Sequence, residues 1–74
     1  MDRRTTADGL TEPLTDREQD ILARLVEGLS NQEIATKVHL AEQTVRWYNS
    51  RIYRKLGVNN RTQAIEAARL QNIL

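Results

Sequence analysis

Residues 30–57, SNQEIATKVHLAEQTVRWYNSRIYRKLG, constrain the fold more than any other stretch, because they hold two helical periods broken at His39-Leu40-Ala41. Ser30-Asn31-Gln32-Glu33 is a capping box: the Ser30 hydroxyl suits the Glu33 N–H, and the Glu33 carboxylate suits the Ser30 N–H. Leu29 and Ile34 flank it at the spacing of a hydrophobic staple. Ile34, Ala35 and Val38 then make one apolar stripe. After the break, a turn of about 100° per residue puts Val45, Tyr48, Asn49, Ile52 and Leu56 on one side of a longer helix. Gln43, Arg46, Trp47, Ser50, Arg51 and Arg54 fall on the other. Gly57 offers a left-handed stop without a side-chain clash. Two helices joined by a short turn, the second with a polar and cationic outer face, are what this stretch specifies.

The whole chain has 74 residues and a net charge of +1, a length that suits one small domain burying about 60% of its unfolded surface. The charge is unevenly spread. Residues 14–40 carry Arg17, Arg24 and Lys37 against Asp16, Glu18, Asp20, Glu27 and Glu33, whereas residues 41–61 carry Arg46, Arg51, Arg54, Lys55 and Arg61 against Glu42 alone. A local cationic site for a polyanion is one reading of that bias, and a solvated helix face is the other. The chain has no cysteine, so disulfides, thiolate metal sites and a cysteine nucleophile are excluded. No apolar run approaches the roughly 20 residues of a membrane span, and no signal-peptide pattern opens the chain. A soluble protein of the cytoplasm, with no membrane partner, is expected.

Residues 1–13, MDRRTTADGLTEP, lack a hydrophobic period and read as a flexible leader or the end of an interdomain linker; the folded domain is expected over 14–74. Thr15-Asp16-Arg17-Glu18 is a second capping box, with two acids in the first turn where the helix dipole favours them. Ile21, Leu22, Leu25 and Val26 follow at helical spacing, and Gly28 ends the segment. Asn60 caps a last helix with Gln63 as its box partner. Ala64, Ile65 and Ala68 form its inward stripe, while Ala67, Leu70 and Gln71 form a second flank that either packs on helix three or meets a second copy. No strand-like alternation of useful length appears. The expected fold is therefore all-α, with four helices at about 16–27, 31–38, 42–56 and 61–71 joined by short loops.

An α-helix fits the DNA major groove, where Arg bonds guanine bidentately and Gln pairs with adenine, and the outer face of helix three carries such groups at every turn. Catalysis lacks a constellation: His39 is the only histidine and sits where a helix end favours a cationic ring, no metal-ligand cluster exists, and Gly9, Gly28 and Gly57 are too scattered to cradle a phosphate. No cofactor and no small-molecule site are expected. The rival is a protein-interaction module that uses Trp47, Tyr48 and Tyr53 as aromatic anchors.

LTDREQDILARLVEGLSNQEIA followed by TVRWYNSRIYRKLGVNNRTQAIEAA resembles the LuxR-type helix-turn-helix domain of bacterial transcription regulators, over about 14–68. The L-T-x-R-E opening, the G-x-S-N-x-E-I-A entry to helix two, the T-V of helix three and the K-L-G-V-x-N-R-T-x-A exit all occur in order. The resemblance implies double-stranded DNA as the partner, with helix three as the recognition helix in the major groove. It implies base contacts from Arg46, Trp47 and Ser50, and phosphate contacts from Ser30, Asn31, Thr44, Arg54 and Lys55. It also implies a homodimer through Ala67, Leu70 and Gln71, reading a two-fold operator, with RNA polymerase as a further candidate partner. Three positions depart from the family pattern. Ala41 replaces a usual Ser cap, Tyr48 stands where His is common, and Trp47 is bulky for a position facing bases.

Overall fold

Among the described residues, every helix starts where a polar side chain or an extended residue turns the backbone, and three of the four starts carry a side-chain cap. The computed structural model describes residues 12–71; the expectation for the leader lies, over residues 1–11, outside them. Helix α1 (Asp16–Val26) and helix α2 (Asn31–Val38) each begin with a complete capping box, Thr15 with Glu18 and Ser30 with Glu33. Helix α3 (Glu42–Leu56) follows after the break at residues 39–41, and helix α4 (Arg61–Leu70) completes the order. Among the described residues there is no strand, and the all-α expectation holds.

The ends differ from the expected bounds by one residue at two places. Glu27 and Gln71 are the C-caps of α1 and α4 rather than their last residues, although each still donates its N–H into the helix, to Ala23 and Ala67. Gly28 follows at φ +95°, and the Leu29 N–H reaches back to the Arg24 carbonyl at 3.2 Å. This closes α1 in the manner of a Schellman turn. Helix α2 ends on His39, which adopts the left-handed conformation (φ 60°, ψ 44°). It thus terminates the helix, as expected, and does so with a left-handed backbone. Gln63 also corrects its expected role: Asn60 accepts the Gln63 N–H at 2.9 Å, but the Gln63 carboxamide accepts from Asn59 at 2.8 Å, one residue before the cap.

Helix α3 is the exception at its start. Ala41 occupies the N-cap with no side-chain hydrogen bond to the first turn, and it is exposed. Ala41→Ser should therefore stabilise the domain by about 1 kcal/mol, since a hydroxyl satisfies one orphan N–H. For a domain of this size that is a rise in Tm of about 4–8 °C, measurable by thermal unfolding.

The core gathers one stripe from each helix. Ile21, Leu22 and Leu25 of α1, Ile34, Ala35 and Val38 of α2, Val45, Ile52 and Leu56 of α3, and Ala64, Ala67 and Ala68 of α4 are buried, with Leu14 closing one end. Alanine on α4 lets that helix approach closely. Helix α3 packs on all three others, so its inner face is wholly consumed and its outer face is left to solvent. Helix α4 is pinned at its start by Arg61, whose guanidinium donates to the Leu29 carbonyl and, at 3.5 Å, to the Leu25 carbonyl. The Leu25 carbonyl belongs to the last turn of α1, where a cation is favoured, and the Leu29 carbonyl to the loop that follows it.

Candidate nucleic-acid interface

Besides its apolar packing, α3 is tied to α1 by a single buried carboxylate. Glu18, counted in the sequence only as a capping residue, is 1% exposed and faces three donors. Its Oε1 accepts from the Thr15 N–H at 2.8 Å and from the Lys55 Nζ at 2.7 Å. Its Oε2 accepts from the Arg51 Nε at 3.1 Å. One group therefore caps α1 and ties it to two turns of α3. Burial raises the Glu18 pKa, but the hydrogen bonds from Lys55, the Thr15 N–H and Arg51 outweigh it, and the carboxyl sits below its ordinary range. The sequence signal that could have revealed this was the turn spacing of Arg51 and Lys55, which puts both on one edge of α3.

This arrangement involves one residue expected to contact phosphate. Lys55 is buried, and its ammonium is engaged by Glu18 and by the Pro13 carbonyl at 3.2 Å. It does not present a charge to solvent, and Pro13, assigned to the leader, is joined to the folded body. The cause is register: Lys55 sits beside Leu56 at the inner edge of α3, where its long stem lies along apolar surface while its head meets an acid.

The other expected residues divide more evenly. Arg46, Trp47, Ser50 and Arg54 are exposed on α3, as helical periodicity requires. Arg46 pairs one turn back with Glu42 at 3.0 Å, both side chains largely exposed, an ion pair weak enough to exchange for a stronger anion. Thr44 is half-buried in the first turn. Ser30 is exposed at the start of α2, where its oxygen accepts from the Glu33 N–H at 3.1 Å and its own proton stays free to donate. Asn31 is half-buried and its carboxamide oxygen accepts from the Asn49 Nδ2 at 2.8 Å, which fixes the start of α2 against the middle of α3. Its side chain is thus committed within the fold, leaving its backbone N–H at the helix N-terminus for an anion.

The aromatic residues are not a single exposed face. Tyr48 and Tyr53 are half-buried and pack against the core, with burial pushing the Tyr53 phenol up against the opposing influence of Arg61. Trp47 alone is open, at 55% exposure.

The flank expected to meet a second copy is split as well. Ala67 is 9% exposed and belongs to the core, because its small side chain faces the neighbouring helices. Leu70 is 80% exposed, and Gln71 lies beside it. An open cleft of about 430 Å³ runs between this end of α4 and the close of α3, lined by Leu56, Val58, Gln63, Ala67, Leu70 and Gln71 among others. Among the described residues no cluster of acids and histidines is placed to hold a metal ion, and no helix is long and apolar enough to cross a membrane.

Comparison with known proteins gives a consistent result. The family model described as bacterial regulatory proteins, luxR family, matches residues 12–68. The probable HTH-type transcriptional regulator GfsR of Streptomyces halstedii is 54% identical over 52 residues, which is 70% of this chain and 21% of that protein. The DNA-binding transcriptional activator DevR/DosR of Mycobacterium tuberculosis is 53% identical over 51 residues, 69% of this chain and 24% of that protein. Among solved structures, the response regulator ChrA of a heme-sensing two-component system superposes with a TM-score of 0.82 at 48% identity, covering 85% of this chain and 31% of that one. The chain thus spans between a fifth and a third of the length of these proteins.

Proposed function

The chain belongs to the luxR family of bacterial regulatory proteins, and from that membership we propose that it binds double-stranded DNA in a sequence-specific way, as the output domain of a transcription regulator. Helix α3 enters the major groove with its outer face, and α1, α2 and α4 hold it there. The observation that carries this reading is the exposure of Arg46, Trp47, Ser50 and Arg54 on one side of a helix whose other side is anchored to the rest of the domain. That face has no acid after Glu42. The family is one of DNA-binding regulators and not of enzymes.

In this reading Arg46, Trp47 and Ser50 contact base edges. Ser30, the Asn31 N–H, Thr44 and Arg54 contact phosphates and fix register. Two copies meet through Leu70 and Gln71 at the end of α4, and so present two recognition helices to a two-fold operator. Such a domain works on the chromosome, in the cytoplasm, and RNA polymerase is its natural second partner.

Arg46→Ala tests the base-reading role. Removing a bidentate base contact costs about 1–3 kcal/mol and relaxes specificity at one base pair. Binding measured against a duplex panel substituted at each position should show that local relaxation. A uniform loss across the panel would instead make Arg46 a phosphate contact.

A further inference from the structure

Trp47 is the one large apolar side chain on the outer face of α3, and the structure restrains it. Tyr48 meets the indole edge-on, with ring centroids 5.0 Å apart and planes at 78°. The Arg51 guanidinium carbon lies 5.0 Å from the indole centroid. Arg51 is itself fixed, because its Nε donates at 3.1 Å to the buried Glu18 carboxylate. A contact therefore runs from α1 through Arg51 to an exposed indole. A side chain fixed before binding loses little conformational freedom when a partner covers it.

The chemistry of the major groove limits what that partner is. Base edges there offer hydrogen-bond donors and acceptors with one apolar exception, the C5 methyl group of thymine. An indole gains most by covering that methyl. We propose that Trp47 is a specificity-determining residue that packs on the C5 methyl of a thymine in each half-site, and that Arg51 is the positioning residue that holds the indole for it. The inference rests on the proposed entry of α3 into the major groove.

The test begins with selection of bound sequences from a random duplex pool by the wild-type domain. The enriched duplexes are then resynthesised with deoxyuridine for thymidine, which removes only the C5 methyl groups. Burial of one methyl-sized group is worth about fourfold in affinity, so the wild type should bind the thymine duplexes at least about fourfold more tightly. Trp47→Ala should bind both versions equally. Arg51→Ala should move the ratio towards one. It should also give Trp47, the only tryptophan of the chain, a fast depolarising motion in time-resolved anisotropy. Arg51→Lys should restore part of both readouts, since an ammonium is also attracted to the indole face. Equal wild-type affinity for the two versions overturns the inference and leaves DNA binding by α3 intact. A thymine preference that survives in Trp47→Ala overturns it too. Failure to enrich any sequence overturns both the inference and the reading beneath it.

Discussion

Glu18→Ala should lower the unfolding free energy by about 3–5 kcal/mol, the cost of leaving a buried charge without its partner. The Lys55 ammonium, on a side chain 7% exposed, would lose its 2.7 Å carboxylate and keep the Pro13 carbonyl at 3.2 Å and the exposed Glu12 carboxylate at 3.9 Å. The Thr15 N–H and Arg51 would lose theirs as well. Arg51 is about one-third exposed and can turn to water, so most of the loss is assigned to Lys55. Natural domains have about 5–15 kcal/mol in total, and this one has a thin core, so the variant should be partly unfolded without denaturant. Urea unfolding measures the change. The double variant Glu18→Leu with Lys55→Met should recover most of it, because apolar groups of similar volume replace buried ion pairs at little cost. A Glu18→Ala loss below about 1 kcal/mol would mean that the pair is solvated and that α3 is seated by apolar packing alone.

The same carboxylate sets the acid response. The Glu18 pKa is lowered in the folded state, so its stabilising contribution is present above the unfolded carboxyl value of about 4.3 and is lost as pH falls through the lower folded value. Stability measured from neutral to acid pH should fall in that window, and Glu18→Gln should flatten that part of the curve.

Ser50→Glu carries the other large expectation. Ser50 is exposed in the middle of α3, so the change should leave stability within about 0.5 kcal/mol of wild type. In the groove, a carboxylate there would face the phosphate-lined wall and sit one helical turn from both Arg46 and Arg54, drawing them into intrahelical pairs. Like-charge juxtaposition costs several kcal/mol, which predicts a loss of DNA affinity of about a hundredfold or more. Equilibrium binding on a selected duplex reads it directly. Wild-type affinity in this variant would place the contact surface elsewhere than on α3.

The fold was legible because local signals agreed with one another. Both capping boxes, the stops at Gly28 and Gly57, and the apolar stripes of Ile21, Leu22, Leu25 and Val45, Ile52, Leu56 each pointed to one arrangement. The outer face of α3 was legible for the same reason, since periodicity alone separates Arg46 and Ser50 from Ile52. What stayed hidden depended on contacts between elements far apart in the chain. Glu18 satisfies a local motif completely, and nothing within its own helix shows that its second oxygen serves Arg51 or that Lys55 turns inward to meet it. Asn31 likewise looks free until Asn49 is brought against it. Charge counting over residues 41–61 therefore overstated the cations available to a polyanion, because Arg51, Lys55 and Arg61 bind within the domain. His39 was legible as the end of α2, but its left-handed backbone was not, since that conformation is uncommon outside glycine.

The most direct test of the central claim is a fluorescence-anisotropy titration of the wild-type domain against a random-sequence DNA duplex at two salt concentrations. Neutralising even about three phosphates per copy gives a slope of about −2.7 in log K against log salt, and so a drop of about fortyfold between about 50 and 200 mM. That loss is the predicted result for a domain that lays α3 along the phosphate-lined groove. Absence of salt-sensitive binding at tens of micromolar, in a covalently linked dimer as well as in the single domain, would contradict it and turn the exposed Trp47 towards a protein partner.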